Sequence, residues 1–168
     1  ENNLNKVIFS STASVYGNSK REKVSENSKL KPITPYAKSK LKIENFLIKN
    51  SKLKKFKYII LRYFNVAGAD PKLRSGLIDE KSNHLIKTCI DCVLHKRELI
   101  EIYGTDYDTE DGSCVRDFIH VSDLISGHLL AIKHLVNGGD SDICNLGYGK
   151  GFSVLEIVEK VKLISKIN

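Results

Sequence analysis

Tyr36 and Lys40 are four residues apart, so on a helix their side chains lie on one face, within reach of each other. A phenol that ionises near 10 is only about one part in a thousand phenolate at pH 7. Making it a useful base at neutrality takes ~4 kcal/mol of preferential stabilisation of the anion. A neighbouring ammonium and the positive N-terminus of a helix both act with that sign. A phenolate so supported takes a proton from an alcohol. The spacing alone is common on helix surfaces, and its context sharpens it. The hydroxyl run Ser10-Ser11-Thr12 ends the apolar stretch Val7-Ile8-Phe9, and the carboxyl end of a strand is where an α/β sheet presents side chains to a ligand. The same hydroxyls would also serve to satisfy backbone groups at a strand end.

Such residues need a scaffold. Val7-Ile8-Phe9 and Tyr58-Ile59-Ile60-Leu61-Arg62-Tyr63-Phe64 are short apolar runs rich in branched and aromatic side chains, which predicts two buried parallel strands. Between them Thr34 suits an N-cap and Pro35 the first helical position. The helix is expected to run to about Asn50 with Leu41, Ile43, Phe46, Leu47 and Ile48 on one apolar side. Strand, helix and parallel strand make a βαβ unit, and strands buried on both faces imply a doubly wound parallel α/β sheet. Further on, the pattern predicts a helix over 81–96, a strand over 99–103, a Gly- and Asp-rich loop to Gly112 and an extended stretch over 114–121. Ser122 is expected to cap a helix that runs toward Val136 and stops at Gly138-Gly139. Residues 142–146 read as a strand. Ser153-Val154-Leu155-Glu156 is a capping box opening a last helix, with Leu155, Val158, Val161, Leu163 and Ile164 on its apolar face.

The bulk properties narrow the classes. With 168 residues, 41% hydrophobic and 28% charged, the chain is long and apolar enough for one domain with a core. Nowhere does an apolar run approach the ~20 residues that cross a bilayer, and residues 1–6 lack the basic-then-apolar layout of a signal peptide; a cytoplasmic setting without a membrane partner is the default. Cys89, Cys92, Cys114 and Cys144 form no disulfide framework. Cys89-Ile90-Asp91-Cys92 has the spacing of half a zinc site, but no second pair follows, so no metal is expected and the two cysteines read as packing residues on a helix. The net charge of +7 is spread along helices and the 49–57 stretch without interleaved stacking aromatics, which argues for solvated faces and against a nucleic-acid partner. Gly147-Tyr148-Gly149-Lys150-Gly151 matches neither glycine-rich phosphate motif and reads as a strand-to-helix turn. A glycine-rich first βα turn, with an acidic residue ~20 positions later, is missing, so the chain reads as a piece of a larger protein.

Five segments in order carry a resemblance. They are 10–17, Tyr36-Ala37-Lys38-Ser39-Lys40, the 61–69 run from Leu61 through Asn65 to Ala69, the 111–121 run containing Arg116 and His120, and Asn145-Leu146-Gly147. Together they resemble the motif set of the UDP-glucose 4-epimerases, within the extended short-chain dehydrogenase/reductases. The resemblance spans nearly the whole chain. It implies a fragment that lacks the N-terminal nucleotide-binding half and the C-terminal end. Residues 1–68 would be the later part of a Rossmann-like NAD domain. Residues 69–168 would supply part of a smaller substrate-binding domain and return elements to the first.

Carried over to these positions, the resemblance implies that Tyr36 is the acid/base, that Lys40 favours its phenolate and bonds the nicotinamide ribose, and that Thr12 hydrogen-bonds the reacting oxygen. Ser10, Ser11 and Phe64 would line the NAD site. Asn65, His84, Leu85, Glu101, Ile102, Tyr103 and Arg116 would contact the UDP-sugar, with Arg116 on the diphosphate, where a guanidinium suits phosphate geometry. Thr12 stands where many members have Ser, which keeps the hydroxyl. Ala37 replaces a common Gly. The resemblance also implies a homodimer built on the helix that carries Tyr36 and the one before it, of which this sequence holds the first. Read from the residues alone, Phe64 serves equally as core, Arg116 as a partner of Asp117 or Glu110, and His120 as a structural residue.

The implied reaction is NAD-dependent 4-epimerisation of a UDP-hexose through a 4-keto sugar. Related 4,6-dehydratases and decarboxylases share the Tyr and Lys, but the dehydratases carry a carboxylate just after the Thr position. Ala13 and Ser14 stand there and cannot titrate. A non-catalytic nucleotide-binding domain on the same fold is the reading from another class; it would be expected to have lost Tyr36 or Lys40.

Overall fold

Residues 4–18, 23–79 and 81–166 are described by a computed structural model. The first apolar run forms strand β1 (Lys6–Ser10) and the second forms β2 (Lys57–Tyr63), paired in parallel with Ile8 beside Ile59 and Ser10 beside Leu61. Helix α1 (Pro35–Lys54) connects them. Thr34 caps it by accepting the N–H of Ala37 at 3.1 Å, and Lys55, in the left-handed region at φ 51°, ends it. The helix is thus one turn longer than its apolar pattern predicts.

Strand β3 (Asn65–Ala67) and helix α2 (Leu85–Val93) follow, then β4 (Val115–His120), α3 (Val121–Val136), β5 (Asp142–Leu146), β6 (Gly151–Ser153) and α4 (Val154–Ser165). One sheet has the parallel order β1-β2-β5. A second joins β3 to β4 in parallel and β4 to β6 antiparallel.

Alternation along β2 divides the first sheet's surroundings. Ile59 and Leu61 face α3 and pack with Ala131 and Leu135, joined by Ile8, Tyr63, Cys144 and Leu146. Full burial of each such aliphatic side chain contributes ~1.5–3 kcal/mol. Arg62, one step out of phase, faces α1 on the other side. Helices on both faces of a parallel sheet are the doubly wound arrangement that the apolar runs predict.

Several local expectations change. In α1 the residues turned to the sheet are Ala37, Glu44 and Leu47, while Ile43 and Phe46 face outward at 43% and 58% exposure. The cap of α3 is His120, whose Nδ1 accepts the N–H of Ser122 at 3.2 Å, so the serine donates and the histidine caps. Helix α2 is shorter than 81–96. A turn closed by Ser82 N–H on Asp79 O precedes it, and at its far end His95 turns left-handed while Lys96 N–H returns to Asp91 O at 2.8 Å. The 99–103 stretch keeps its alternation, with Ile100 and Ile102 half-buried, but no strand among the described residues pairs with it and no ladder forms. In α4 the buried stripe ends early: Val158 is buried, whereas Leu163 and Ile164 are each 80% exposed. The capping box forms as expected, with Ser153 and Glu156 each accepting the other's backbone N–H.

Asp111 joins α4 to the loop before β4. Its carboxylate accepts the hydroxyl of Ser153 and, at 2.8 Å each, the N–H and hydroxyl of Ser113. These donors, Ser153 first, hold the carboxyl below its ordinary range. A depressed carboxyl contributes stability above its unfolded value near 4 and loses it as pH falls through the lower folded value. Asp111→Asn is therefore expected to weaken this junction at neutral pH and to flatten the acid limb of the unfolding profile. The check is amide exchange at Ser113 and Glu156 against pH; an acid limb identical in both proteins would refute it.

Candidate functional site

The carboxyl end of β1 gathers the residues that the spacing singled out. Lys40 reaches across from α1, and its Nζ donates to the carbonyl of Ser10 at 2.8 Å. The same ammonium lies 5.6 Å from the centre of the Tyr36 ring and 5.1 Å from that of Phe9. Tyr36, in the first turn of α1, is 54% exposed, so its ring has open access. Thr12 is nearly buried and caps the 3-10 turn Ala13–Tyr16, accepting the N–H of Ser14 at 3.2 Å. Two elements, a strand end and a helix start, thus carry these side chains.

All three hydroxyls of the run are engaged inside the protein, that of Thr12 donating to Ser14 Oγ at 3.2 Å. Ser10 Oγ lies 3.1 Å from His128 Nε2, and His128 Nδ1 lies 2.9 Å from the carbonyl of Leu124. A carbonyl only accepts, so Nδ1 carries a proton and Nε2 is the ring atom paired with the Ser10 hydroxyl. Ser11, fully buried, donates its hydroxyl to Glu44.

Glu44 opens a network that spacing alone did not indicate. Its carboxylate is fully buried and receives Arg62, with Nη2 at 2.6 Å and Nε at 3.1 and 3.2 Å from the two oxygens. Arg62 Nη1 donates to the Tyr16 hydroxyl at 3.0 Å, and that hydroxyl donates to Asn145 Oδ1 at 2.7 Å. Burial pulls the guanidinium's ionisation down, and the hydrogen bonds of Glu44 and Tyr16 with the Glu44 charge outweigh it, so the net shift is upward. The sequence did carry a signal for this pair: an arginine inside an apolar strand needs a buried anion, and Glu44 is the one acidic residue of α1.

The expected substrate residues occupy a second group of elements. Asn65 opens β3 and donates its amide to the carbonyl of Asp117 at 3.0 Å. Arg116 on β4 is exposed and makes no ion pair with Asp117 or Glu110. Asp117 instead accepts the N–H groups of Tyr148 and Gly149 at 3.2 and 2.8 Å. The Gly147–Gly149 turn thus spends its amides on an internal carboxylate, in keeping with a plain turn. Phe64 packs its ring on Gly147, where a side chain's Cβ would stand 2.7 Å from it. His120 packs on Gly68 in the same way, with φ +87° at the glycine, and caps α3, which gives it a structural task. His84 stands exposed at the N-cap of α2 without a side-chain capping bond, and Leu85 begins that helix. Tyr103 is 80% exposed and donates its hydroxyl to Glu101, beside Ile102. Among the described residues no hydrogen bond joins His84, Leu85 or 101–103 to the Tyr36–Lys40 group.

No metal-binding group of three or more His, Cys, Asp or Glu occurs among the described residues. Cys89 is 1% exposed and burial pushes its thiol up, as a packing residue's would be.

A doubly wound parallel sheet with Tyr-x-x-x-Lys at its carboxyl edge places the chain among Rossmann-like proteins. The chain belongs to the NAD dependent epimerase/dehydratase family, whose model matches residues 1–147. It is 47% identical over 162 residues to a UDP-glucose 4-epimerase of Azospirillum brasilense, covering 96% of this chain and 47% of the relative. It is 43% identical over 165 residues to one from Halalkalibacterium halodurans, covering 98% and 49%. Among solved structures, UDP-glucose 4-epimerase from Brucella ovis in complex with NAD superposes with a TM-score of 0.89 at 39% identity, over 94% of this chain and 49% of that one. The UDP-Glc/GlcNAc 4-epimerase of Campylobacter jejuni gives 0.75 at 48% identity, over 98% and 50%. The chain spans about half the length of the relatives it matches.

Proposed function

We propose that the protein containing this chain interconverts the 4-epimers of a UDP-hexose with tightly held NAD, the pair being UDP-glucose and UDP-galactose or its N-acetylhexosamine counterpart. The observation that carries the reading is the half-exposed Tyr36 ring beside a Lys40 ammonium anchored on Ser10 at the carboxyl end of β1.

The residues present fit the nicotinamide end of the cofactor. Lys40 uses one described hydrogen bond and an ammonium has three donors, which leaves capacity for a ribose. The chemistry NAD would supply there is that of a reversible hydride acceptor for sugar C4. Tyr36, as phenolate, takes the proton of the 4-hydroxyl and gives it back after the 4-keto sugar has turned over in the pocket. Lys40 opposes the phenolate charge, and Thr12 holds the reacting oxygen by a hydrogen bond once its hydroxyl turns from Ser14 Oγ. Arg116, with no ion pair among the described residues, takes the diphosphate. Asn65, His84, Leu85, Glu101, Ile102 and Tyr103 complete the UDP-sugar contacts, and Ser10, Ser11 and Phe64 border the cofactor. The hydroxyls of Ser10 and Ser11 are committed to His128 and Glu44, so those two residues would meet the cofactor through their backbone.

In this reading residues 1–68 belong to the NAD domain and 69–168 to a segment that builds the substrate side. The return of β5 to β2 supports it, while β3 crosses the boundary to pair with β4. Exchange protection that failed to group β1, β2 and β5 would count against it. The outward row Ile43, Phe46 and Leu53 on α1, at 43%, 58% and 74% exposure, supports a homodimer through that helix. A solution mass of one chain would remove it. No described helix is long and apolar enough to cross a membrane, and all four cysteines are free, in keeping with a cytoplasmic protein. Disulfides in protein isolated without reductant would contradict that location.

The decisive experiment supplies the intact protein with UDP-galactose and UDP-GlcNAc separately, without added NAD, and looks for their 4-epimers. At least one is expected to interconvert. Protein with cofactor bound that converts neither would reject the activity.

A further inference from the structure

We infer that the buried Glu44–Arg62 pair is a positioning device for the proton-transfer centre, holding the strand end that carries Thr12 and the helix that carries Tyr36 and Lys40 in one fixed relation. The inference rests on the reading of Tyr36, Lys40 and Thr12 given above.

Thr12 sits between two residues that the same pair grips. Ser11, immediately before it, donates to Glu44, and Tyr16, four residues after it, accepts from Arg62. The helix is the third element gripped. Tyr36, Lys40 and Glu44 follow each other at four-residue steps on one side of α1, passing from the half-exposed phenol to a fully buried carboxylate. Lys40 holds the strand at Ser10 and Glu44 holds it at Ser11, so two successive residues of the strand end are fixed by two successive turns of the helix. Arg62 extends the grip to β2, and the Tyr16 hydroxyl extends it to Asn145 on β5. No buried side-chain nitrogen or oxygen among the described residues lacks a partner, so the group is closed as well as buried.

Stability alone does not account for charges in this place. A buried ion pair is often replaced by apolar side chains of similar volume at little cost or with a gain, because desolvation cancels most of its attraction. Direction is what it adds: bidentate contacts between a guanidinium and a carboxylate fix an orientation that aliphatic packing leaves free. A proton-transfer centre needs that, since a misplacement of about 1 Å costs on the order of 10²-fold in rate.

The test uses the intact protein with its cofactor and the double variant Glu44→Met/Arg62→Met. It is expected to unfold within about 5 °C of the parent. Its kcat should fall at least about tenfold while KM changes less than about threefold, the signature of lost transition-state alignment. Amide exchange at Thr12 and in the first turn of α1 should quicken, with β2 unchanged. A folded double variant with parental kcat and parental exchange at Thr12 would overturn the inference.

Should the double variant not fold, Tyr16→Phe decides. It leaves the ion pair and removes only the hydroxyl linking Arg62 to Asn145. A severalfold lower kcat with faster exchange at 12–17 is expected, and parental values of both would overturn the inference. The exchange measurement does not depend on turnover. A parent protein that epimerises nothing would therefore defeat the activity reading and leave the positioning role to be judged on exchange.

Discussion

Tyr36→Phe in the intact protein is expected to reduce epimerisation by a factor of order 10² or more, as removal of a general base does. The ring remains, and with 54% exposure the residue is no part of the core, so stability should hardly change. On the proposed role the loss should fall mainly on kcat, because the missing oxygen would be needed when the sugar proton leaves and would contribute little to holding the nucleotide. Progress curves with UDP-galactose would settle it, and a variant within a few-fold of the parent would remove Tyr36 from the proton-transfer role. Lys40→Met distinguishes the two partners. It should also abolish turnover, but it releases the strand end as well, since Lys40 Nζ holds the carbonyl of Ser10.

The largest effect on stability is expected from Arg62→Met alone. Glu44 would remain fully buried with the Ser11 hydroxyl as its one remaining donor among the described residues. Stranding a buried charge by removing its partner costs ~3–5 kcal/mol, well above the value of the pair itself. Urea unfolding of the single variant should show a loss of that size, and the matching Glu44→Met substitution partly restores it. A single variant within about 1 kcal/mol of the parent would mean that water or a shifted side chain reaches the carboxylate.

The βαβ frame is legible from residues alone because its signals are local. Thr34 and Pro35 start α1, and the branched residues of β2 alternate between two buried faces. The 99–103 stretch shows the limit. Its alternation is that of a strand, but a strand exists only if another lies beside it, and partner availability is not written in a pentapeptide. For α1 the apolar pattern misplaces the buried side, since a single charged residue, Glu44, outbids Phe46 for the interior once Arg62 waits there. The Tyr36–Lys40 pair needs only helical spacing to be seen. The ion pair behind it couples residues 18 positions apart on different elements, and only the fold brings them together.

The four-residue steps from Tyr36 through Lys40 to Glu44 make α1 a ruler. Each added residue turns a helix by about 100°. An insertion between Tyr36 and Glu44 would swing the phenol off the strand end or the carboxylate out of its pocket, and no side-chain adjustment serves both. Beyond Leu47, which still faces the sheet, no such count applies, and the helix ends at the exposed Lys55. Length variation in α1 should therefore be tolerated after Leu47 and refused before it, a division that a scan of single-residue insertions would map.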